Sequence, residues 1–363
     1  MAGPKVPEFE ITGVDGQMRN YVKKVTIDYT QDGPDMFTVT FLNQSAESQT
    51  QPVFTEGQHV GKFKEGDEIT IQMGYTGEGS GMQKMLVGEV IGMEANFREH
   101  DPASFTVRCY DKLHRLSRGR KQRTFMNMKD SQIAEQIAQE MGLQADVDDS
   151  GTTHDHVFQN NLSDIDFLYA RARFINYELD VEDDTLRFKR PKIQEGGSTT
   201  YKWGENLKRI RFNLSTSKQV DEVQVRGWDP GTKKEIIGKA TAGSELSTMG
   251  GGLTGSQAQS GKYGGGRKVS MVANVPLVDQ ETADKIAQAR FNELAMEYIT
   301  GEAEVEGDTA IKSGSIVKFE GTGKQYDGEY YVVNAVHTLK PGNGPGTGYT
   351  TRFAFKRTGR QNT

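Results

Sequence analysis

His154 and His156, separated only by Asp155, are the residues best spaced for metal chemistry. On a strand they would share one face and present two imidazoles to one ion. A metal centre needs at least one further placed ligand and an outer set of hydrogen bonds. Asp148, Asp149 and Asp155 are close in sequence, but an aspartate-rich turn reads equally as ordinary surface. The stretch Gly255 to Lys262 has the look of a phosphate loop. It has one residue too many between its glycine and its Gly-Lys, and Tyr263 stands where a magnesium-binding hydroxyl is required. Asp183-Asp184 and Asp164/Asp166 could pair for general acid–base work, but they also fit a turn and a helix N-terminus. The lone Cys109 lies in Phe105-Thr-Val-Arg-Cys-Tyr110, which reads as a strand and so predicts a buried, inert thiol. No nucleophile elbow, His-Glu-x-x-His helix or EF-hand loop occurs in the sequence. No catalytic residue, cofactor-binding residue or metal ligand is therefore assigned, and the chain reads as a non-enzyme.

The elements around these residues are mostly strands. Alternating apolar residues predict strands over Tyr21–Tyr29, Met36–Leu42, Asp67–Met73, Met85–Ile91 and Ser104–Tyr110. Helical spacing follows over Asp130–Met141, and a second helix is predicted from Ser163 through Asn176 with Ser163 as its cap. Short strands are expected on either side of the Asp183-Asp184 turn. Strands return at Leu207–Leu214, Val220–Trp228, Ser315–Glu320, Tyr330–His337 and Thr350–Phe355. A one-sided apolar stripe predicts a helix over 279–299, just after Pro276 and Leu277. Residues 241–266 are rich in Gly, Ser, Thr and Gln, and read as a mobile loop.

The expected fold is mainly β with an α+β insert: two antiparallel β-barrel domains separated by a small helix-containing module. The boundaries are 1–114 for the first barrel, 115–195 for the mixed module and 196–363 for the second barrel. A faint internal echo supports duplication. Phe63-Lys-Glu-Gly-Asp-Glu-Ile-Thr-Ile71 is similar to Ile311-Lys-Ser-Gly-Ser-Ile-Val-Lys-Phe319, and Gly88-Glu89 to Gly328-Glu329. With 363 residues the chain is long enough for two or three domains. Its net charge of −6 disfavours a broad nucleic-acid-binding face, leaving the basic run Arg115 to Arg123 as a solvated loop. No apolar stretch reaches membrane-spanning length and no signal peptide is apparent.

Three blocks carry a family resemblance. Val157-Phe-Gln-Asn-Asn-Leu-Ser-Asp-Ile-Asp-Phe-Leu-Tyr-Ala-Arg-Ala-Arg-Phe174 resembles the segment shared by phage late-control D and VgrG-type spike proteins. Glu222 to Pro230, followed by Lys234 to Ala240, is similar to a second block of that family. Ala289 to Asp308, continuing through Lys312-Ser-Gly314 to Gly328 and His337, is similar to a third. The resemblance implies a structural baseplate hub of a contractile injection machine (phage tail, tailocin or extracellular injection system). It implies a homotrimer whose two barrels per chain let a threefold object meet a sixfold one. The implied partners are an inner tube protein, a spike protein and baseplate wedge or other baseplate components, with no nucleic acid and no direct membrane insertion. The chain ends soon after Thr351-Arg-Phe-Ala-Phe-Lys356, so the spike is expected to be a separate polypeptide. The protein is expected to be cytoplasmic on synthesis and then part of an assembled particle that can be released. The alternative is a cell-wall or glycan hydrolase built on a barrel scaffold.

Overall fold

The computed structural model describes residues 6–45, 51–77, 81–193, 198–229, 233–249, 251–264, 266–273, 277, 279–342, 344 and 346–361. Pro230, Gly250, Gly265 and Pro276, all within segments singled out above, lie outside the described residues.

The chain opens with β1 (Val6–Ile11), a single helical turn α1 (Gly16–Arg19), β2 (Val22–Thr30), β3 (Met36–Leu42), β4 (Glu68–Thr76), β5 (Met82–Arg98) and β6 (Asp101–Tyr110). A 3-10 turn, Lys112–Ser117, leads into a mixed module. The module holds β7 (Lys121–Lys129), α2 (Asp130–Glu140), β8 (Gln144–Val147), β9 (Thr153–Leu162), α3 (Asp164–Ile175), β10 (Glu178–Glu182) and β11 (Thr185–Lys189). The β-rich pattern then resumes with β12 (Thr199–Lys202) and β13 (Leu207–Leu214). After it come β14 (Glu222–Asp229), β15 (Lys234–Thr241), β16 (Leu253–Thr254), α4 (Gly255–Gln259), β17 (Val269–Val272) and α5 (Gln280–Met296). The last strands are β18 (Ile299–Glu306), β19 (Ile316–Glu320), β20 (Gly328–Lys340), β21 (Gly348–Arg357) and β22 (Gly359–Arg360).

One 12-stranded sheet organises the molecule. Its first half runs β1-β4-β5-β6-β3-β2 and its second β12-β19-β20-β21-β18-β13. Numbered within each half, both orders are first, fourth, fifth, sixth, third, second. The repeat extends to irregularities. The β2–β3 ladder slips between Val22 and Lys24, and the β13–β18 ladder slips between Leu207 and Arg209. The β5–β6 ladder slips between Val90 and Gly92, and the β20–β21 ladder between Val332 and Asn334. Val90 exchanges hydrogen bonds with Gly66 and Asp67, as Val332 does with Gly314 and Ser315. Bulges of this kind are specific features of a strand, and matching them pairwise is what a duplicated unit predicts. The echo between 63–71 and 311–319 thus falls on equivalent strands. The Gly-Glu echo also falls on equivalent strands, β5 and β20, but out of register: Gly88 is equivalent to Tyr330, two residues past Gly328. The halves also differ in a slip and in a pairing: the β5–β6 ladder slips again between Asn96 and Arg98, where β20–β21 stays regular through Leu339 and Lys340. β1 runs antiparallel to β4, whereas β12 runs parallel to β19.

The halves join through β2 and β20, antiparallel from Val25↔Leu339 to Thr30↔Asn334. The alternation of β2 places Val25, Ile27 and Tyr29 in the core, facing the buried Ala335 and His337 of β20. A single apolar core runs through both halves. Phe41 and Phe54 (centroids 4.7 Å apart) anchor one end, and Phe319, Tyr330 and Phe355 (4.9 Å) the other.

The mixed module has its own core under α2 and α3. A further small core lies where β14, β15 and β17 pack on α5, a unit inserted between β13 and β18. Gly238 permits that packing, since a Cβ there would sit 2.2 Å from the Ala283 backbone. The predicted helices are found as α2, α3 and α5, with Ser163 and Asp279 as side-chain caps. The stripe through 299 ends earlier, because Ile299 already belongs to β18. The 241–266 segment departs from the expected mobile loop. Thr254 caps α4, Leu253 and Thr254 pair with β22, and Met249, Thr254, Ser256, Ala258 and Gln259 are buried.

Candidate functional site

The residues singled out for chemistry are held apart and engaged elsewhere. His154 is buried and shares the Asp130 carboxylate (3.1 Å) with Arg171, which binds it through Nε at 2.5 Å. This triad ties β9 to the first residue of α2 and to α3. His156, opposite Met126, is exposed. Among the described residues, no group of three or more His, Cys, Asp or Glu side chains could hold a metal ion. Asp164 sits under the N-terminus of α3 and accepts from Lys121 (2.6 Å), Arg123 (2.9 Å) and Gln159 (3.0 Å). Lys121 and Arg123 also pair with Glu140, and Arg115 with Glu89. Much of the basic run is therefore neutralised within the chain. Hydrogen bonds from Arg115 hold the Glu89 carboxyl down at about 2. Asp183 takes a positive φ of 55° in the β10–β11 turn, and the turn's two aspartates pair with Lys84 and Lys112. Cys109 is fully buried, and burial pushes its thiol up to about 12.

A group of carboxyls that sequence reasoning missed gathers where the sheet meets the mixed module. Asp35 lies in the β2–β3 turn and accepts the Thr30 N–H at 2.9 Å. Its own N–H donates to Asp111 at 3.0 Å, and Asp111 also accepts the Leu113 N–H. Glu178 of β10 accepts from Gln31 (2.9 Å) and from the Tyr331 hydroxyl. Burial raises Asp35 to about 7, with the Asp180 charge adding to it and the Thr30 bond and Lys312 opposing. Burial also raises Glu178 to about 7 against the Tyr331 bond, and lifts Asp111 and Asp180 above the usual carboxylate range. These positions are scattered from 35 to 180, so only the tertiary fold could reveal them together. His337, across β20, is the opposite case. Its Nε2–H donates to the Ile311 carbonyl and its Nδ1 accepts from Tyr349, both at 2.7 Å, while burial lowers it to about 4.

Beside Glu178 a groove of about 1070 Å³ runs between the end of the mixed module and α5. A narrower cleft holding Glu178, Tyr331, Asp32 and Arg173 adjoins it, and Arg173 pairs with Asp32 at 2.8 Å. Exposed large apolar side chains include Leu246, which lines both clefts, Trp203 and Tyr263 outside the strands, and Phe97, Met126, Phe158, Trp228 and Met271 on strands. No helix among the described residues is long and apolar enough to cross a membrane.

Solved structures similar to this one include tail proteins and a type VI secretion component. The 43 kDa tail protein of prophage MuSo2 from Shewanella oneidensis matches at 15% identity and TM-score 0.65, covering 98% of each chain. A tail protein from Neisseria meningitidis matches at 11% identity and TM-score 0.63, covering 97% of this chain and 96% of that one. The c3393 protein of E. coli, a component of the type VI secretion system similar in structure to T4 tail proteins, matches at 10% identity and TM-score 0.58. It covers 98% of this chain and 79% of that one. At these identities the likeness is one of fold. No curated protein matches the sequence. The family model described as the Alg8 N-terminal domain matches residues 9–341, and the chain belongs to that family.

Proposed function

We propose that this chain is a structural baseplate hub of a contractile injection machine, related to the late-control D and VgrG-like proteins. It acts by binding and not by catalysis. Three copies form a ring that joins a sixfold inner tube to a threefold spike and contacts other baseplate components. The divisions 1–114, 115–195 and 196–363 serve as first barrel, mixed module and second barrel. The chain is made in the cytoplasm and ends in an assembled particle. The observation that carries this reading is the repeat of one six-stranded order, bulges included, in a single chain. Two near-equivalent halves per chain give three chains six, and so let the two symmetries meet. The full-length likeness to a prophage tail protein supports the same setting. Light scattering on the purified chain tests the reading. A trimer that co-sediments with tube and spike proteins is expected. A stable monomer that binds neither would overturn it.

The hydrolase alternative has one observation in its favour: Glu178, raised to about 7, borders a cleft. It requires turnover of peptidoglycan or glycan that Glu178→Gln abolishes. The hub reading expects no turnover by either form.

A further inference from the structure

Inside one chain, β2 of the first half pairs with the distal stretch of β20 in the second half. Register equivalence assigns each partner a counterpart. Val22, Lys24 and Val25 of β2 correspond to Leu207, Arg209 and Ile210 of β13, since both strands slip at the same step. Val332, Asn334 and Thr338 of β20 correspond to Val90, Gly92 and Asn96 of β5 by the same logic, and Leu339 corresponds to Phe97 by counting one residue on, into the second β5–β6 slip. Within the chain these counterparts never meet. β13 ends the sheet, and among the described residues its one bridge beyond the β18 ladder is Leu207 to Trp203. β4 pairs β5 only as far as Glu89, and beyond Val90 that side of β5 has no strand beside it among the described residues. The chain thus contains one joint of this type and both components of a second.

The side chains at the open components match those at the filled joint. Leu339 is 1% exposed, whereas its counterpart Phe97 is 60% exposed. Ala335 and His337 are buried, while their counterparts Met93 and Ala95 are half-buried and exposed. Val25, Ile27 and Tyr29 are buried, while Ile210, Phe212 and Leu214 are each half-buried. Both open strands keep an apolar alternation; Phe212 stacks on Tyr326 at 4.6 Å, yet each strand leaves apolar side chains partly uncovered on the side where a neighbouring strand would lie.

We infer that β13 of one copy pairs antiparallel with residues 92–97 of β5 in the next, repeating the internal β2–β20 joint between chains. The register follows from the internal one: Ile210 opposite Phe97, Arg211 opposite Asn96, Phe212 opposite Ala95, Asn213 opposite Glu94. Arg211 then lies diagonal to Glu94, a charge match across the seam. Lys24 and Lys340, of like charge, fall just outside the internal ladder, and Arg209 and Arg98 fall just outside this one. Each copy donates one strand and accepts another, so the contact is head-to-tail and closes when the rotation allows. The inference rests on the hub reading for the number of copies, but not for which strands meet.

Arg211→Cys combined with Asn96→Cys tests the register in the full chain. Opposed residues lie about 4.5–5.5 Å apart, within disulfide reach, while diagonal ones lie about 7–8 Å apart. Oxidation is expected to link copies into reducible multimers, whereas Arg211→Cys with Arg98→Cys is not. Phe97→Glu, which alters an exposed side chain, is expected to weaken self-association by about tenfold or more with an unchanged melting temperature at dilution. A trimer that neither cross-links at 211/96 nor weakens with Phe97→Glu overturns the strand pairing and leaves the hub reading standing. Links at 211/96 that grow past three copies support the pairing and overturn the threefold ring. A chain that stays monomeric and unlinked at all concentrations overturns both.

Discussion

At the scale of single residues, the notable feature is two kinds of buried titratable group with opposite signs. Asp35 and Glu178 hold protons in the folded chain up to about 7, well above the values they take once exposed. The native state then binds more protons than the unfolded one between pH ~4 and ~7. Stability from these groups is full at the acid end of that window and is lost as pH rises through it. His337 works the other way. It is lowered to about 4, so its contribution is present above about 6.5 and is lost as pH falls towards 4. Asp35→Asn keeps the acceptor for the Thr30 N–H but cannot ionise. Melting temperature measured from pH 4 to 8 is expected to fall less steeply with rising pH in this variant than in the parent chain. Equal slopes would show that Asp35 does not titrate in that window. The fates of single residues were partly legible in the sequence. The buried state of Cys109 follows from its strand, and the cap at Ser163 from its spacing. The Asp130 partner of His154 and the carboxyl cluster were not legible, because each unites residues far apart in sequence.

Elements were read best where a local period decides them. The predicted α2 and α3 lie within a residue or two of their observed ends, since apolar spacing and caps act over a single turn. The 241–266 segment was misread for a related reason. Composition measures how much apolar surface a segment can bury by itself, but this one is anchored by others. Ser256 donates to the Val220 carbonyl, Gln219 and Tyr298 crowd Gly255, and Thr358 donates to Ser247. Deleting 248–260 is therefore expected to lower the melting temperature measurably. It also removes the partner of β22. A truly free loop could be removed with little effect on stability, and an unchanged melting curve would show that these contacts are dispensable.

At the scale of the whole molecule, the two halves share one sheet and one core. Ile27 sits at their joint, fully buried between Phe37 and His337. Ile27→Ala is expected to cost roughly 2–5 kcal/mol. It should also speed amide exchange in β6 and β21 together, though they belong to different halves. Faster exchange confined to β6 would mean that the halves open independently. The duplication itself was legible only as an echo, because strand register depends on pairing across the sheet and not on neighbours in sequence. The halves are nevertheless not interchangeable. The hairpin joining β2 to β3 spans only residues 31–35, while the corresponding connection in the second half, 215–298, carries a whole sheet and helix. A partner that grips the strands meets the same grip twice per chain. A partner that reaches the hairpin ends meets a short turn held by the mixed module at one, and a whole inserted unit at the other. Around a closed ring those inserted units would recur at every second position, so a partner that reads them would need half as many arms as one that reads the strands.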